Sequence, residues 1–249
     1  MDLSGNSNKI KKMKVSIIGY GKMGKAVIDY AQKRGHKVID IFDIDNKNQI
    51  TSEKLKNADV VFEFTTPEGA FENISKCMDA GVPCVSGSTG WMDKLDLLKF
   101  RCEEEQKTLF YSSNFSIGVN ILFKINRNLA KIMNSHDEYE VKITETHHIH
   151  KLDAPSGTAI NIAAQIIDEI DRKTDWELNS KSPEKININA IREGEVFGIH
   201  EITYESNVDI ISIKHSAKSR QGLAQGAVLA AEFVKDKQGF YTMDDLLNF

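Results

Sequence analysis

Short apolar runs alternate with amphipathic stretches along the first half of the chain, and this rhythm constrains the fold more than any other feature. An apolar run from Val15 to Ile18 stops at a glycine, and a helical pattern follows from Met23 to about Arg34. The later strand-like runs are 37–43, 59–64, 83–86 and 108–112, with helical patterns over 69–80 and 94–102. Strands that alternate with helices at this spacing predict a parallel sheet with helices on both faces.

The rhythm changes after Asn114, and we place the boundary between two domains between Asn114 and Gly118. Helical patterns at 119–133 and 158–170 enclose a strand-like run at 138–145. Three β-like runs then follow, and two helices end the chain: 186–192, 198–204, 208–215, 223–234 and a last one from about 242. Because the connections Glu193–Gly194 and Ser206–Asn207 are short and turn-like, this half is predicted to be α+β with a mainly antiparallel sheet.

A glycine-rich turn joins the first strand to the first helix, with the sequence Gly19-Tyr20-Gly21-Lys22-Met23-Gly24. In a Gly-x-Gly-x-x-Gly pattern the first glycine allows a tight turn, the second lets the backbone approach a diphosphate, and the third lets helix and strand pack closely. Asp43 ends the second strand about 20 positions later, where the fingerprint expects an acid that binds the adenosine ribose. Asp43 could instead only cap its strand. No arginine follows it, so we expect NADH to be preferred, with NADPH open because Lys47 could partly replace that arginine.

Composition limits the classes of protein and partner. The chain has 249 residues, enough for one large or two modest domains. Its 32 basic and 36 acidic residues give a formal charge of −4, without the basic excess typical of nucleic-acid binding. No apolar run approaches the roughly 18 residues of a membrane span, and residues 1–12 read as a polar tail without a signal peptide. Three cysteines cannot form an even disulfide framework, so we expect a cytoplasmic protein without membrane or nucleic-acid partners.

The most informative stretch is a histidine-rich loop at residues 145–159, ETHHIHKLDAPSGTA. Three of the seven histidines fall within four positions, a lysine follows them, and Ser-Gly-Thr opens a helix after the proline. Cationic side chains and helix-start amides that converge on one loop predict an anion site suited to carboxylates. Histidine and lysine also supply protons for acid catalysis.

Two other interpretations of this loop stay open. A metal site is the first, because the histidines with Glu145 and Asp153 offer enough ligands. Neither HExxH nor a helical histidine pair is present, however, and in an extended segment His147 points away from the other two histidines, so we predict no metal. The second is that one histidine, most simply His150, only holds the loop together by hydrogen bonds.

This loop resembles the signature of the dihydrodipicolinate reductase family. The resemblance extends along nearly the whole chain in the family's order. It includes the glycine-rich turn and four further segments: FTTPEG at 64–69, SGSTGW at 86–91, SNFSIGVN at 113–120 and KHSAKSR at 214–220. Several motifs in one order are far more specific than a lone glycine pattern.

The resemblance implies reduction of a cyclic dihydrodipicolinate-type dicarboxylate to tetrahydrodipicolinate by hydride from NAD(P)H, in lysine and diaminopimelate biosynthesis. It implies a Rossmann-like parallel-sheet N-terminal domain at 13–116 and a substrate-binding and oligomerisation domain at 117–235. The segment at about 236–249 is a candidate to pack back on the first domain. A homotetramer built by the second sheet, and a hinge between the domains, are implied as well.

The family's functional residues transfer to positions of this chain where the motifs match. The catalytic general acid/base histidine falls on His147 and the catalytic lysine on Lys151, and which of the two donates the proton is open. Substrate carboxylates are assigned to His148, Gly157 and Thr158. The nicotinamide-side contacts fall on two loops: Gly87, Ser88, Thr89, Ser112, Ser113, Asn114 and Phe115.

Two departures from the family pattern concern the cofactor. The glycine turn is one residue shorter than in many relatives, and the segment between Asp43 and Val60 is compact.

The alternatives to a reductase of this family are another two-domain nicotinamide oxidoreductase, or an NAD-binding sensor. Joint stabilisation by NADH and pyridine-2,6-dicarboxylate would favour the reductase, whereas a response to cofactor alone would favour a sensor. Arg220, with the basic residues before it, could capture substrate or simply be a solvated strand end.

Overall fold

The computed structural model describes residues 11–249, which form two compact units. The first unit contains residues 11–115 and 223–248, and the second contains residues 116–222 with Phe249. Residues 1–10 of the predicted tail lie outside the described residues. None of the helices in 11–249 combines the length and the apolarity that a membrane crossing requires.

The described chain contains β-strands and α-helices in the following order. The strands are β1 (Lys14–Ile18), β2 (Lys37–Phe42), β3 (Val60–Glu63), β4 (Cys84–Ser86), β5 (Thr108–Tyr111), β6 (Glu140–His147), β7 (Asp175–Leu178), β8 (Lys185–Arg192), β9 (Ile199–Glu205), β10 (Ile210–Ser216) and β11 (Gly239–Tyr241). The helices are α1 (Lys22–Lys33), α2 (Ser52–Leu55), α3 (Pro67–Ala80), α4 (Leu95–Glu104), α5 (Ile117–Met133), α6 (Gly157–Glu169), α7 (Gln221–Val234) and α8 (Met243–Leu247). Two 3-10 helices lie at Ile44–Gln49 and Met92–Lys94.

The first unit is built on a six-stranded parallel sheet with the order β11-β5-β4-β3-β1-β2. Its central strands are buried on both faces and therefore read as continuous apolar runs. The chain proceeds from β1 to β2 on one side and then returns to β3 on the other side of β1. In open α/β sheets this reversal of strand order is where ligands bind, at the carboxyl ends of the strands.

The glycine-rich turn lies at this reversal, and two of its glycines are required by close packing. Gly19 has a φ of +97°, and a Cβ there would lie 2.2 Å from the carbonyl oxygen of Phe64. A Cβ at Gly24 would lie 2.1 Å from the carbonyl oxygen of Gly19. The first and third glycines therefore let β1, α1 and the end of β3 approach one another, as the sequence pattern indicates.

The second unit contains a five-stranded sheet with the order β10-β9-β6-β8-β7. The sequence predicts a mainly antiparallel sheet, and the sheet is in fact mixed: β6 and β10 are antiparallel to β9, whereas β6 and β7 are parallel to β8. The reason is that β6 lies between β8 and β9. The short connection after β8 therefore leads past β6 rather than forming a hairpin.

One face of this second sheet is covered by α5 and α6. The core between them combines apolar side chains of both helices with those of β6, β8 and β9: Leu122, Ala130, Met133, Ala159, Ile162, Ala163, Ile166, Val141, Ile143, Ile186, Ile188, Ile202 and Tyr204. Because side chains alternate along a strand, the covered face of β6 carries Val141 and Ile143 and then Glu145 and His147. The same face is thus apolar at one end and polar at the other.

The α/β fold class is confirmed, and the structure adds details that periodicity cannot supply. From Leu223 onward, α7 belongs to the first unit, although the sequence assigns residues up to 235 to the second domain. The elements α2, β7 and β11 are absent from the sequence-based prediction. Each has only three or four residues, too few to show a period.

Candidate active site

The polar end of the second sheet is organised around Glu145, whose side chain is fully buried. Its Oε1 accepts hydrogen bonds from Nη2 of Arg192 at 2.9 Å and from the backbone N–H of Ser156 at 3.3 Å. Its Oε2 is in direct contact with Nδ1 of His147. Arg192 lies opposite His147 on the neighbouring strand β8, so strand register brings these groups together.

The charge of Glu145 is set by two opposing effects. Burial raises the pKa of the carboxyl, but the N–H groups of His147 and Arg192 outweigh burial and lower the pKa to about 2. Glu145 is therefore an anion at neutral pH. An anion beside Nδ1 favours a proton on that nitrogen, which leaves Nε2 of His147 as the atom that can exchange a proton with a ligand.

Gly198 makes room for the His147 ring at its other nitrogen. A Cβ at Gly198 would lie 3.1 Å from Nε2 of His147, and Gly198 has a φ of +149°, a conformation that favours glycine. A larger residue would press on the ring or shift β9. The glycine thus preserves the position of the nitrogen that Glu145 leaves available.

A second buried histidine, His200 on β9, packs beside the first. Its ring lies edge-to-face against the His147 ring, with 5.2 Å between centroids, and its Nε2 shares a hydrogen bond of 3.1 Å with Oγ of Ser156. Burial, aided by the nearby His147, lowers the pKa of His200 to about 4. His200 is therefore neutral at pH 7. Because Oγ of Ser156 also accepts from the backbone N–H of Ala159, His200 is linked to the start of α6.

The loop between β6 and α6 carries the other residues predicted from the sequence. Lys151 is half-buried, and its Nζ lies 2.9 Å from Oδ1 of Asp153, which lowers the pKa of that carboxyl. His148 is also half-buried. His150 is exposed, and its Nε2 lies 3.2 Å from Oε1 of Glu195 across the turn after β8. This contact agrees with a loop-holding role for His150, which stays a prediction.

Gly157 and Thr158 form the first turn of α6, immediately after the Ser156 cap. Gly157 is exposed, and the space where a Cβ would project is open to at least 4 Å. The N-terminus of a helix attracts anions because its N–H groups point outward along the axis. The structure therefore places an anion-attracting helix start and the His147 pair at the two ends of one loop.

The metal interpretation involves a different set of groups from the one considered in the sequence. Among the described residues, Glu145, His147 and His200 have potential ligand atoms within 4.8 Å of one another. The guanidinium of Arg192 already contacts Glu145 at 2.9 Å and supplies the positive charge there. A dication would have to lie beside this arginine, so we interpret the cluster as an ion-pair network.

The first unit has a cleft of about 230 Å³ at the carboxyl ends of its strands. Five of its lining residues were predicted as cofactor contacts, and three were not: Met23, Gly87, Ser88, Ser113 and Phe115, then Phe64, Thr65 and Leu223. Thr89, Ser112 and Asn114 belong to the same two loops but do not line the cleft. Nothing in the described part of the chain lies within 4 Å of the point where a Cβ would project from Gly21, which leaves the backbone open to a diphosphate.

Asp43 follows β2 and is exposed, and it begins the first 3-10 helix. Its Oδ1 accepts a hydrogen bond from the backbone N–H of Ile44 at 2.9 Å, while the backbone N–H of Asp43 donates to Oδ1 of Asn46 at 2.7 Å. The side chain is therefore held at the carboxyl edge of the sheet. Both sequence interpretations, ribose binding and capping, are compatible with this position.

The sequence analysis did not identify three polar groups of the two sites. They are Arg192, His200 and Glu63, whose carboxyl group accepts hydrogen bonds from Thr65 and Ser88 of the cleft. Arg192 and His200 lie on other strands, and their relation to His147 depends on strand register, which leaves no local signal. Glu63 differs, because a glutamate within the apolar run VVFEF is itself an anomaly in a buried strand. The sequence alone could therefore have singled out Glu63.

We predict that His200 makes the folded state sensitive to mild acid. The unfolded chain binds a proton at His200 below about pH 6.5, whereas the folded chain resists it down to about pH 4. The free energy of unfolding therefore falls as the pH decreases across this window, by up to about 3 kcal/mol. In urea titrations at several pH values, His200→Gln should lose less stability between pH 6.5 and pH 4 than the wild type.

The matched control is His150→Gln, since His150 is exposed. This variant should follow the wild-type pH dependence. Equal slopes for His200→Gln and the wild type would mean that His200 is not held neutral by burial.

Sequence profiles of one family match both halves of the chain. The profile described as "Dihydrodipicolinate reductase, N-terminus" matches residues 13–115. The profile described as "Dihydrodipicolinate reductase, C-terminus" matches residues 118–247. Together the two profiles cover nearly all of the chain.

Individual relatives agree with the profiles. A 4-hydroxy-tetrahydrodipicolinate reductase of Christiangramia forsetii is 43% identical over 236 residues, which cover 95% of this chain and 98% of the relative. The enzyme of that name from Archaeoglobus fulgidus is 37% identical over 94% of this chain and 100% of its own length. Among solved structures, a dipicolinate-bound dihydrodipicolinate reductase from Paenisporosarcina sp. TG-14 has a TM-score of 0.72 at 21% identity, covering 93% of this chain and 97% of that one, a likeness that concerns the fold.

Proposed function

Since the chain belongs to the dihydrodipicolinate reductase family, we propose that it reduces a cyclic dihydrodipicolinate-type dicarboxylate to tetrahydrodipicolinate, in lysine and diaminopimelate biosynthesis. The observation that carries this proposal within the structure is the pairing of His147 with a buried, ionised Glu145. That pair lies at one end of a loop whose other end is an anion-attracting helix start. This loop therefore carries a proton donor at one end and a group that attracts carboxylates at the other.

The cofactor proposal rests on the first unit. NAD(P)H would supply the hydride when bound. Gly19 to Gly24 would hold the diphosphate, an assignment that the open space at Gly21 supports. Asp43 would bind the adenosine ribose, so we propose that NADH is preferred and that NADPH is also accepted. The nicotinamide-side contacts are assigned to the loops after β4 and β5: Gly87, Ser88, Thr89, Ser112, Ser113, Asn114 and Phe115.

The substrate proposal rests on the second unit. His148 and the first turn of α6, Gly157 and Thr158, would hold the substrate carboxylates. Lys151 would add a positive charge there, and its exposed partner Asp153 is an anion that a substrate carboxylate can replace. A dicarboxylate fits this loop because the loop offers the ammonium group of Lys151, the imidazole of His148 and a helix start.

His147 is the group that we propose as the proton donor. Glu145 binds its Nδ1 and balances the charge of an imidazolium, so that Nε2 can carry the proton to the substrate. Arg192 keeps Glu145 from taking up that proton, because its hydrogen bond helps to hold the pKa of Glu145 at about 2. Lys151 then binds substrate rather than donating the proton.

We predict that His147→Ala lowers turnover by about 10² to 10⁴-fold, the range typical of positioned acid catalysis. Lys151→Ala should lower kcat/KM by about 10- to 100-fold, as expected for the loss of a charged substrate contact. NADH affinity should remain unchanged, because both residues belong to the second unit. Steady-state kinetics with the dihydrodipicolinate-type substrate and fluorescence titration with NADH measure the two effects.

His136→Ala is the control, since it removes an exposed histidine from outside this loop. It should retain turnover within a few-fold of the wild type. Near-normal kcat/KM in both His147→Ala and Lys151→Ala would overturn the assignment of catalysis to this loop.

We also predict that Asp43→Ala weakens NADH binding by about tenfold, as expected for the loss of a charged hydrogen bond to the ribose. NADPH binding should change much less, because a 2′-phosphate has no donor to offer the carboxylate. The ratio of the two dissociation constants, measured by titration, is the readout. Asp45→Ala is the control, because it removes the same charge two positions away, and it should leave the ratio unchanged. An equal loss of affinity for both cofactors in Asp43→Ala would show that Asp43 only caps the strand.

We propose further that the enzyme is a cytoplasmic homotetramer assembled through the second sheet. The face of this sheet opposite α5 and α6 supports the proposal, since it contains a groove of about 520 Å³ lined by residues of β6 and β8 and by residues 179–181 after β7. Strand β10 at the edge of the sheet also exposes Ile210 and Ile211. Exposed apolar side chains on a sheet edge favour association between subunits.

A further inference from the structure

Glu63, at the end of the central strand β3, is buried without any exposed surface. Within residues 11–249 it forms no ion pair with a lysine, arginine or histidine. Instead, its Oε1 accepts hydrogen bonds from the backbone N–H of Thr65 at 3.1 Å, from Oγ1 of Thr65 at 2.5 Å and from Oγ of Ser88 at 3.0 Å. Its Oε2 accepts from Oγ of Ser86 at 2.6 Å.

Burial of the Glu63 carboxyl group carries a desolvation cost in free energy. A carboxyl group in an apolar strand loses its hydration, and only a full set of donors offsets that loss. Every donor comes from the ends of β3 and β4 and from the loops that follow them. Thr65 and Ser88 also line the cleft of the first unit. The buried carboxyl therefore fixes two of the eight residues that line this cleft.

The hydrogen bonds also determine which way the hydroxyl protons point. Oγ1 of Thr65 donates to Glu63, and it accepts from the side-chain amide of Asn73 at 3.3 Å. Oγ of Ser88 accepts from the backbone N–H of Thr65 at 2.8 Å, and its own proton has two protein acceptors, Glu63 and the carbonyl oxygen of Thr65. Both hydroxyls donate their protons to acceptors within the protein. Each hydroxyl can therefore meet a ligand in the cleft only as a hydrogen-bond acceptor.

From this geometry we infer that Glu63 is a positioning residue that sets the cofactor specificity of the cleft. By holding Thr65 and Ser88 as acceptors, it makes the cleft fit a group that donates hydrogen bonds, such as the N–H₂ of the nicotinamide carboxamide. A ring substituent with only a carbonyl oxygen would face oxygen lone pairs instead. The inference rests on the proposed cofactor site, and it adds a residue that touches neither cofactor nor substrate.

The test compares NADH with reduced 3-acetylpyridine adenine dinucleotide, in which a methyl ketone replaces the carboxamide and the N–H₂ donor is lost. For the wild type we expect the analogue to bind at least about tenfold more weakly, the equivalent of one good hydrogen bond. Glu63→Gln provides one donor in place of an acceptor, so a hydroxyl can turn toward the cleft. The ratio of the two dissociation constants should then fall to within about twofold of one.

Three further measurements separate positioning from general damage. ADP-ribose, which lacks the nicotinamide ring, should bind Glu63→Gln within twofold of its wild-type affinity. Thr65→Val, which removes one of the two hydroxyls from a half-buried residue, should also reduce the ratio and serves if Glu63→Gln does not fold. Ser16→Ala, at a buried hydroxyl of the neighbouring strand β1, should leave the ratio unchanged.

The outcomes distinguish this inference from the proposed function. An unchanged ratio in both Glu63→Gln and Thr65→Val, or an equal weakening of NADH, the analogue and ADP-ribose, would overturn the positioning role while leaving the cofactor proposal intact. A wild-type protein that binds neither NADH nor NADPH would overturn the cofactor proposal itself, and the role of Glu63 with it.

Discussion

Within residues 11–249, each unit fully buries one side-chain carboxyl group at or near the carboxyl end of a central strand, and the surroundings of both groups follow from the cost of that burial. Glu145 meets the cost with an arginine, a histidine and a backbone amide. Glu63 meets it with hydroxyl groups and a backbone amide alone. The environment of Glu145 holds an anion beside a histidine and suits proton transfer. The environment of Glu63 fixes the direction of hydroxyl protons and suits the binding of a hydrogen-bond donor.

The alternation of side chains along β6 connects the core of the second unit to its chemistry. The period that buries Val141 and Ile143 against α5 and α6 also turns Glu145 and His147 to the same side, beyond the end of the apolar packing. Neighbouring strands contribute Arg192 and His200 at matching positions. The proton donor thus lies on a rigid strand, while the groups proposed to bind the carboxylates lie on a loop and a helix start.

How much the sequence predicted depends on how local each feature is. The glycine turn, Asp43 and the histidine loop are each contained in one short segment, so their pattern was readable. Arg192, which binds Glu145, lies 47 positions away on β8. Strand register brings the two residues together, and no local sequence pattern encodes that register. Similarly, the helical period of α7 was evident from the sequence, but a period does not reveal which sheet a helix covers.

The contact between Glu145 and Nδ1 of His147 is the point on which the proposed chemistry depends most directly, and nitrogen-15 NMR of histidine-labelled protein observes it. We predict an N–H at Nδ1 of His147 at neutral pH, with a strongly downfield proton that is lost in Glu145→Gln. A His147 ring whose Nδ1 carries no proton, with its hydrogen on Nε2 alone, would contradict the assignment of His147 as the donor held by Glu145.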